Sequence, residues 1–354
     1  MYETSLSALL PPLHILVLGY GRVTRAFLAL LASRSEWIGR ELGVRPVITG
    51  LGSRREGLYI HKDGVNAHQL VDGPDALAWI RQAGSSVTDA EQFIESGKAA
   101  GASLFIELTT LNPLDGQPAL SHIHKALALG LDVITANKGP VAYAQDELQE
   151  LAQRQHVQFR FESTVLDGLP LLNLTELALP AVGIRGFRAI LNSTSSVVLG
   201  MIEQGYSQEE ALFKAQQLGI TEADPSFDLD GWDAVMKTTI LANTLLEGHL
   251  APRLVERQGI RHLTTDDICA AALAGSPYRL VSEARWSKGE LRARVRPRRI
   301  QAGDILHAGV ALGGIISLDT EAMGIITVVE HANSVAQTAY GVLSDLIIIQ
   351  RSAG

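Results

Sequence analysis

Residues 14–24 read HILVLGYGRVT, and they decide the architecture of the first half of the chain. The apolar run over residues 14–18 has the length of a buried strand, and Gly19 and Gly21 allow a sharp turn directly after it. From Val23 onward, apolar side chains recur at helical spacing. A strand, a glycine turn and a helix in this order are typical of a parallel sheet that binds the pyrophosphate of a dinucleotide, because a helix N-terminus attracts negative charge.

The end of the next strand predicts which dinucleotide is bound. We expect a strand over residues 46–51, and it leads into Ser53, Arg54 and Arg55. An acid at this strand end would accept the ribose hydroxyls of NAD, whereas arginines suit the additional phosphate of NADP. The sequence therefore favours NADP, with NAD as one alternative and a merely exposed basic turn as another. Thr24 replaces the third glycine of the fingerprint, so we expect helix and strand to pack slightly further apart.

Two later strands are expected to end at the same edge of the sheet. The pattern predicts strands over residues 103–108 and 131–135, with a helix over residues 119–129 between them. Ligands bind at the carboxyl ends of parallel strands in open α/β sheets, and the second of these strands delivers Asn137 and Lys138 to that edge. A lysine at such an edge is more often functional than one on an exposed helix face.

The order of the elements predicts an α/β chain with two domains. We expect an N-terminal Rossmann dinucleotide-binding domain over residues 1–145, completed by a C-terminal helix within residues 331–354. Residues 146–330 are expected to form a mixed α+β domain for substrate binding, catalysis and dimerisation. Within the first domain, residues 56–100 are expected to hold one or two helices. In the second domain, residues 184–192 and 196–199 are expected to form strands or turns.

Composition and charge exclude several classes of protein. Of the 354 residues 46% are hydrophobic and 19% charged, which is typical of a globular α/β protein. The net charge of −8 disfavours nucleic acid and anionic membranes as partners, and no apolar run is long enough to cross a bilayer. The single cysteine, Cys269, excludes an intramolecular disulfide. We therefore expect a cytoplasmic protein whose partners are small molecules. The apolar β segments around residues 184–199 and 305–329 are expected to supply a sheet for assembly into a homodimer or homotetramer.

The stretch TEADPSFDLDGWDAVMK, residues 221–237, is the candidate for catalytic chemistry. A calcium-binding EF-hand loop is excluded, because its first position would be Ser226 and its last Lys237, where an Asp and a bidentate Glu are needed. A helix is predicted from Trp232, and on it Asp233 and Lys237 share one face. The stretch could be a solvated acidic loop at a helix N-terminus, but the large apolar residues among its acids favour a partly enclosed site.

Several separated motifs in one order make the chain resemble homoserine dehydrogenase over nearly its whole length. The motifs are Gly19-x-Gly21, TANKGP at 135–140, ExTVxxGxP at 162–170, LNxT at 191–194, and EADP with its continuation to Lys237 at 222–237. The resemblance is to the short form, which lacks a C-terminal regulatory ACT domain. It implies the reversible NAD(P)-dependent reduction of L-aspartate 4-semialdehyde to L-homoserine, on the route to threonine and methionine.

The resemblance also implies roles for particular residues. Lys237 is the expected general acid and base, Asp233 orients it, and Lys138 lies near the reacting oxygen or the substrate carboxylate. The expected substrate-binding residues are Glu222 and Asp228, which take the ammonium group, and Thr194. The expected cofactor-binding residues are Gly19, Gly21, Arg22, Val23, Ser53, Arg54, Arg55, Thr109, Asn137 and Lys138.

The family resemblance also predicts a site for a monovalent cation, and one loop departs from the family pattern. The resemblance implies a Na⁺ or K⁺ site at Glu162, Val165 and Asp167. Residues 330–334, EHANS, replace the glycine-rich loop that the family usually has near the nicotinamide. This replacement keeps two alternatives open, a nucleotide-binding sensor without turnover and an oxidoreductase for another amino-acid semialdehyde or hydroxy acid. The retained lysines favour an enzyme, because a pure binder needs no proton donor.

Overall fold

The architecture is that of a computed structural model, which describes residues 10–71, 76–167, 169–218, 221, 224–309, 313–331 and 334–352. The strands are β1 (Pro12–Leu18), β2 (Arg45–Ser53), β3 (Gly57–Asn66), β4 (Ser85–Val87), β5 (Leu104–Glu107), β6 (Asp132–Thr135), β7 (Phe159–Arg160), β8 (Ile184–Ile190), β9 (Glu256–Arg257), β10 (Tyr278–Ser287), β11 (Glu290–Arg299), β12 (Gly314–Thr320) and β13 (Gly324–Glu330).

The helices are α1 (Arg22–Ser33), α2 (Ser35–Leu42), α3 (Ala67–Val71), α4 (Ala76–Ala83), α5 (Ala90–Ala99), α6 (Ala119–Ala128), α7 (Lys138–Arg154), α8 (Leu171–Asn173), α9 (Ser193–Glu203), α10 (Gln208–Gln217), α11 (Ser226–Leu229), α12 (Trp232–Leu245), α13 (Thr265–Leu273) and α14 (Val335–Ser352). Single 3₁₀ turns lie at Glu162–Thr164, Pro252–Leu254 and Ile305–Gly309, and a π turn at Leu174–Ala178. The chain divides into two compact units. The first unit runs to Pro170 and resumes at Ser334, and the second unit is Leu171–Asn333.

The first unit is built on a seven-stranded sheet in the order β4-β3-β2-β1-β5-β6-β7. Strand β1 pairs in parallel with β2 and β5, and β6 pairs in parallel with β5 and β7. The carboxyl ends of β1, β2, β5 and β6 therefore meet at one edge of the sheet. Strands β3 and β4 are added antiparallel beside β2. Together with the α+β second unit, this mainly parallel sheet with its helices confirms the predicted fold class.

The turn after β1 requires glycine for a steric reason. Gly19 has a φ of +108°, and a Cβ there would lie 2.3 Å from the carbonyl oxygen of Leu108. Its amide donates to the carbonyl of Gly52 at 2.9 Å, which ties the turn to the end of β2. Thr24 is fully buried, and its hydroxyl donates to the carbonyl of Gly19 at 2.9 Å. The residue that replaces the third glycine thus fastens the turn to α1.

The C-terminal helix α14 belongs to the first unit. It packs on α1 and β6, and its buried apolar side chains join the core of the first sheet. Asp345 on this helix is almost fully buried and accepts a hydrogen bond from the backbone amide of Glu162 at 3.0 Å. A polar contact therefore holds the helix in register against the end of β7.

The second unit is built on a six-stranded sheet in the order β13-β12-β8-β10-β11-β9. Its pairings are antiparallel, except that β11 pairs in parallel with the short β9. Helices α9 and α12 pack against β10, and α12 also packs against β11. The position of α12 matters most, because this helix carries the predicted catalytic lysine on a face that is otherwise largely buried.

The structure differs from the sequence-based expectations in three places. Residues 56–100 hold the strands β3 and β4 as well as helices. Strand β3 pairs antiparallel with β2, and β4 pairs antiparallel with β3 at the edge of the sheet. Residues 196–199, expected as strand or turn, lie in α9. The boundary expected near residue 145 falls inside the kinked helix α7, and residues 146–170 are part of the first unit.

Within the part of the chain that the structure describes, no helix is both long enough and apolar enough to span a bilayer.

Candidate functional site

The glycine turn places a helix N-terminus at the carboxyl edge of the first sheet. Gly21 is the N-cap of α1, and no side chain caps the helix there. A Cβ at Gly21 would meet no protein atom within 4 Å, so the packing of the chain does not itself require glycine. Arg22 is exposed and Val23 is half-buried at the start of the helix. Uncapped backbone amides and a cation at one helix end suit the binding of a phosphate group.

A basic turn follows β2 at the same edge. Ser53 is the last residue of β2, and its hydroxyl accepts a hydrogen bond from the backbone amide of Glu56 at 3.3 Å. Arg54 and Arg55 occupy the turn and are exposed. A third guanidinium, which the sequence did not single out, belongs to Arg81 and donates to the backbone carbonyl of Glu56 at 3.2 Å. Three arginines thus surround one strand end, which suits a phosphate better than a ribose hydroxyl.

The loop after β6 forms the N-terminus of α7. Asn137 is buried and caps the helix, since its side-chain oxygen accepts a hydrogen bond from the amide of Gly139 at 3.1 Å. Lys138 is the first helical residue and is half-buried. The side-chain amide of Asn137 donates to the carbonyl of Thr109 at 3.3 Å. The structure therefore brings the predicted cofactor residues after β5 and after β6 into one hydrogen-bonded group.

The acidic stretch forms a second polar group, in the second unit. Lys237 lies one helical turn after Asp233 on α12, with 3.4 Å between its Nζ and Oδ2 of Asp233. Its Nζ also donates to the backbone carbonyl of Leu191 at 2.8 Å. The two side chains are only 15% and 9% exposed, so the pair is largely shielded from water. An amine held by a carboxylate and a carbonyl is positioned to give or take a proton.

Asn192, which precedes α9, is the hub of this group. Its side-chain amide donates to Asp228 Oδ1 at 2.7 Å and to Asp233 Oδ2 at 3.0 Å. Its side-chain oxygen accepts from the amide of Ser195 at 2.7 Å and caps α9. Thr194 also hydrogen-bonds the carboxyl of Asp228. Sequence reasoning gave Asn192 no role, although it lies in the LNxT motif beside Thr194.

Two carboxyl groups share this small volume. Burial raises the pKa of Asp228 above its ordinary value, and the negative charge of Asp233 raises it further. The hydrogen bonds from Asn192 and Thr194 and the charge of Lys237 oppose that shift. We call these five residues the proton-transfer cluster: Asn192, Thr194, Asp228, Asp233 and Lys237. It contains one cation for two acids, which suits the binding of a second, external cation.

Some of the predicted site residues lie outside the described residues. Glu222, the other predicted ligand of the substrate ammonium, is one of them. Ala332 and Asn333 of the altered loop also fall outside, whereas Glu330 is the buried last residue of β13. Asp228 is therefore the predicted ammonium ligand whose surroundings can be specified.

The residues predicted to hold a monovalent cation lie together in the first unit. Glu162 and Val165 are almost fully buried, and Asp167 is half-buried. The backbone amide of Glu162 is held by Asp345, and Arg160 lies 4.0 Å from the other oxygen of that aspartate. Among the described residues, no group of three or more acidic, histidine or cysteine side chains could hold a metal ion. Only a site completed by backbone carbonyls fits this segment.

Comparisons with known proteins agree on one family. The family profile described as homoserine dehydrogenase matches residues 170–347. The chain is similar to the NAD(+)-dependent homoserine dehydrogenase of Pseudomonas canavaninivorans, with 36% identity over 95% of this chain and 96% of that protein.

Solved structures are similar over nearly the whole chain. A homoserine dehydrogenase from Thiobacillus denitrificans superposes with a TM-score of 0.80 and 26% identity, over 97% of this chain and 74% of that one. A hyperthermophilic archaeal homoserine dehydrogenase in complex with NADPH superposes with a TM-score of 0.78 and 25% identity, over 96% of this chain and 98% of that one.

Proposed function

Because this chain belongs to the homoserine dehydrogenase family, we propose that it interconverts L-homoserine and L-aspartate 4-semialdehyde with a nicotinamide cofactor. It is an oxidoreductase of amino-acid biosynthesis that acts on a CH–OH group. The observation that carries the proposal is the proton-transfer cluster, in which the shielded amine of Lys237 is oriented by Asp233 and by the carbonyl of Leu191. A binding protein without turnover would have no use for this arrangement.

The cluster accounts for the proton in each direction of the reaction. When bound, the nicotinamide supplies or accepts the hydride. During reduction of the aldehyde, negative charge develops on its oxygen, and Lys237 donates a proton to that oxygen. During oxidation of homoserine, the same amine accepts the hydroxyl proton. Asp233 holds the amine in place, since its carboxylate oxygen lies 3.4 Å from Nζ of Lys237.

The remaining acid of the cluster selects the substrate. Asp228 shares a donor with Asp233 through Asn192, and no side-chain cation is bonded directly to it in the described hydrogen bonds and ion pairs. We assign it, with Glu222, to the substrate ammonium, because a positive charge would offset the repulsion from Asp233. Thr194 supports that carboxyl by a hydrogen bond. Lys138 is assigned to the reacting oxygen or the substrate carboxylate.

We propose NADP as the preferred cofactor and NAD as the weaker one. The support is the exposed pair Arg54 and Arg55 after β2, with Arg81 at the same turn and Ser53 where an NAD enzyme would carry an acid. The pyrophosphate is assigned to Gly19, Gly21 and the N-terminus of α1. The two similar proteins described above differ on this point, since one is named for NAD(+) and the other is bound to NADPH.

We also propose that Na⁺ or K⁺ binds at Glu162, Val165 and Asp167 and stiffens the end of the first unit. The buried carboxylate of Glu162 and the carbonyls of the turn after it are oxygen ligands, which alkali cations prefer over nitrogen or sulfur. Turnover should rise when either cation replaces a bulky organic cation at constant ionic strength. Equal turnover in all three salts would remove this site from the proposal.

The enzyme is proposed to be a cytoplasmic homodimer or homotetramer that assembles through the second sheet. The support is the exposed apolar surface at the β12–β13 hairpin, where Met323 is 63% and Ile325 58% exposed. Large apolar side chains that lie together at the surface commonly mark contacts between subunits. Sedimentation velocity of the purified protein measures the assembly, and Ile325→Glu should shift it toward the monomer.

The reaction itself is tested by absorbance at the reduced-nicotinamide band. Purified protein is mixed with L-homoserine and NADP or NAD in turn, and a homoserine-dependent rise in absorbance supports the proposal. Other amino-acid hydroxy compounds, such as L-serine, serve as controls for chain length. Tight nucleotide binding by calorimetry without turnover would instead favour a sensor.

A further inference from the structure

A fully buried carboxyl group lies beside the proposed cofactor residues. Glu107 is the last residue of β5, at the carboxyl edge of the first sheet, and its side chain has no exposed surface. Burying an acid is costly unless it is well hydrogen-bonded. Burial raises the pKa of Glu107, and hydrogen bonds from Thr109, Thr135 and Asn137 oppose the rise. The sequence gave this residue no role beyond its place in a strand.

The two oxygens of Glu107 contact two different segments, the loop after β5 and the last residue of β6. Oε1 accepts hydrogen bonds from the backbone amide of Thr109, at 3.0 Å, and from the hydroxyl of the same residue. Oε2 accepts a hydrogen bond from the hydroxyl of Thr135 at 3.1 Å. Thr135 is the residue that pairs with Glu107 across the parallel strands β5 and β6. One carboxyl group therefore connects the loop after β5 with the end of β6, where the loop to α7 begins.

The connection continues to the start of α7 and closes on itself. The hydroxyl oxygen of Thr135 accepts from the amide of Asn137 at 3.0 Å. The side chain of Asn137 then donates back to the carbonyl of Thr109 at 3.3 Å and caps α7 through the amide of Gly139. The closed ring of hydrogen bonds fixes the backbone of Thr109 and the N-terminus of α7 relative to each other.

We propose that Glu107 is a positioning residue for cofactor binding, acting through Thr109 and Asn137 on the loops that follow β5 and β6. The inference rests on the proposed function, because these loops carry residues assigned to the nicotinamide cofactor. Glu107 cannot touch the cofactor itself, since its side chain is completely enclosed. Its hydrogen bonds go to loop and cap atoms at the ligand-binding edge, rather than to the neighbouring strands alone.

Three substitutions test the proposal. Glu107→Ala removes every bond from the carboxyl, and we expect the dissociation constant of NADPH to rise roughly tenfold to a hundredfold. Glu107→Gln should restore affinity to within about threefold of wild type. The new side-chain oxygen can accept from Thr109, and the new amide can donate to the hydroxyl oxygen of Thr135. The hydroxyl proton of Thr135 can still be donated to the backbone carbonyl of residue 107. Thr135→Val breaks the ring with little change of volume and should give an intermediate loss.

Asp132 provides the matched control on the same sheet. It lies at the amino end of β6, accepts a hydrogen bond from the amide of Gln158 at 2.8 Å, and has a pKa that burial raises. Asp132→Ala removes this acceptor and should lower the melting temperature but leave NADPH affinity unchanged. The measurements are NADPH fluorescence titration, thermal melting, and the KM values for cofactor and homoserine.

The outcomes separate a positioning role from a structural one. A larger KM for the cofactor at unchanged KM for homoserine, with rescue by Glu107→Gln, supports the proposal. Equal NADPH affinity in wild type and Thr135→Val, or melting losses without affinity losses, would overturn it. If Glu107→Ala does not fold, the Thr135→Val comparison still decides. Titration with NADPH needs no turnover, so failure of the homoserine assay would count against the proposed function and not against Glu107.

Discussion

The first sheet and the proton-transfer cluster hold buried acids in opposite ways. Glu107 is surrounded by neutral donors from Thr109, in the loop after β5, and from Thr135, at the end of β6. Among the described hydrogen bonds and ion pairs no cation is bonded to it. In the cluster, Asp228 and Asp233 share the amide of Asn192, and the one lysine, Lys237, is paired with Asp233. The first arrangement is complete and rigid, whereas the second has surplus negative charge. A site that is to bind an ammonium group needs that surplus.

The largest expected effect on activity is that of removing the amine of Lys237 from the cluster. Lys237→Ala should lower turnover by about a hundredfold to ten-thousandfold, the usual contribution of general acid and base catalysis, while NADPH affinity stays unchanged. Lys237→Met keeps the apolar stem and separates lost chemistry from lost packing. Steady-state kinetics and NADPH titration measure the two effects.

Lys214 supplies the control for that experiment. Its ammonium lies 4.2 Å from the centre of the Tyr206 ring in the same unit, outside the cluster. Lys214→Ala should leave turnover unchanged. Loss of NADPH binding together with turnover in Lys237→Met would argue that the lysine is structural.

Removal of the hub should have the next largest effect. Asn192→Leu keeps the volume but removes the donor that both carboxylates share, so their repulsion should disturb the substrate site. We expect kcat/KM for homoserine to fall roughly tenfold to a hundredfold without a change in cofactor affinity.

Asn243 is the matched control for Asn192. It also makes two side-chain hydrogen bonds, to the carbonyl and the amide of Leu250, at 3.0 and 2.8 Å, but it lies near the end of α12. Asn243→Leu should lower the melting temperature and leave kcat/KM unchanged. A similar kinetic loss in both variants would show that Asn192 acts only through stability.

Substitutions in the basic turn after β2 should change the KM for the cofactor and not the KM for homoserine. Arg54→Ala with Arg55→Ala should raise KM for NADP about tenfold and change KM for NAD little, because a guanidinium bonded to the 2′-phosphate is lost only with NADP. The test compares kcat/KM for both cofactors at fixed homoserine. Equal losses with NADP and NAD would contradict the assignment of these arginines to the phosphate.

The smallest expected effect concerns stability and pH. Because the pKa of Asp228 is raised in the folded protein, the folded state binds its proton more tightly than the unfolded chain. The stability that this gives is fully present below the ordinary value of 3.8 and is lost as the pH rises through the raised pKa. Asp228→Asn should therefore melt a few degrees higher than wild type at neutral pH and equally near pH 3. A constant difference across this range would show that the charge of Asp228 is fully compensated.

Local patterns made much of the fold predictable. The glycine turn after β1 and the pair Asp233 and Lys237 depend on neighbours within a few residues, and both appear as expected. The start of α12 at Trp232 was also predicted, because Gly231 adopts the left-handed conformation that ends the loop before it.

The missed features depend on partners that are distant in the chain. Asn192 reaches Asp233 across 41 residues, and Glu107 reaches Thr135 across 28, so no local periodicity marks either contact. Strand β3 was missed because residues 61–64, in its middle, are half-exposed or exposed and interrupt the alternation of apolar side chains. Register between strands, rather than composition, decides these cases.

Because α14 belongs to the first unit, the core of that unit can be completed only late in synthesis. Helix α14 contributes Val342, Leu346 and Ile349 to the core that β1 and α1 help to form, although some 300 residues of chain separate them. The strands and α3, which also packs on α1, leave the ribosome early, but the contacts of α1 with α14 form only after α14 has been translated. Until then the sheet has an uncovered hydrophobic surface, and an attachment that hinders residues 335–352 should lower the yield of folded protein more than one before residue 12.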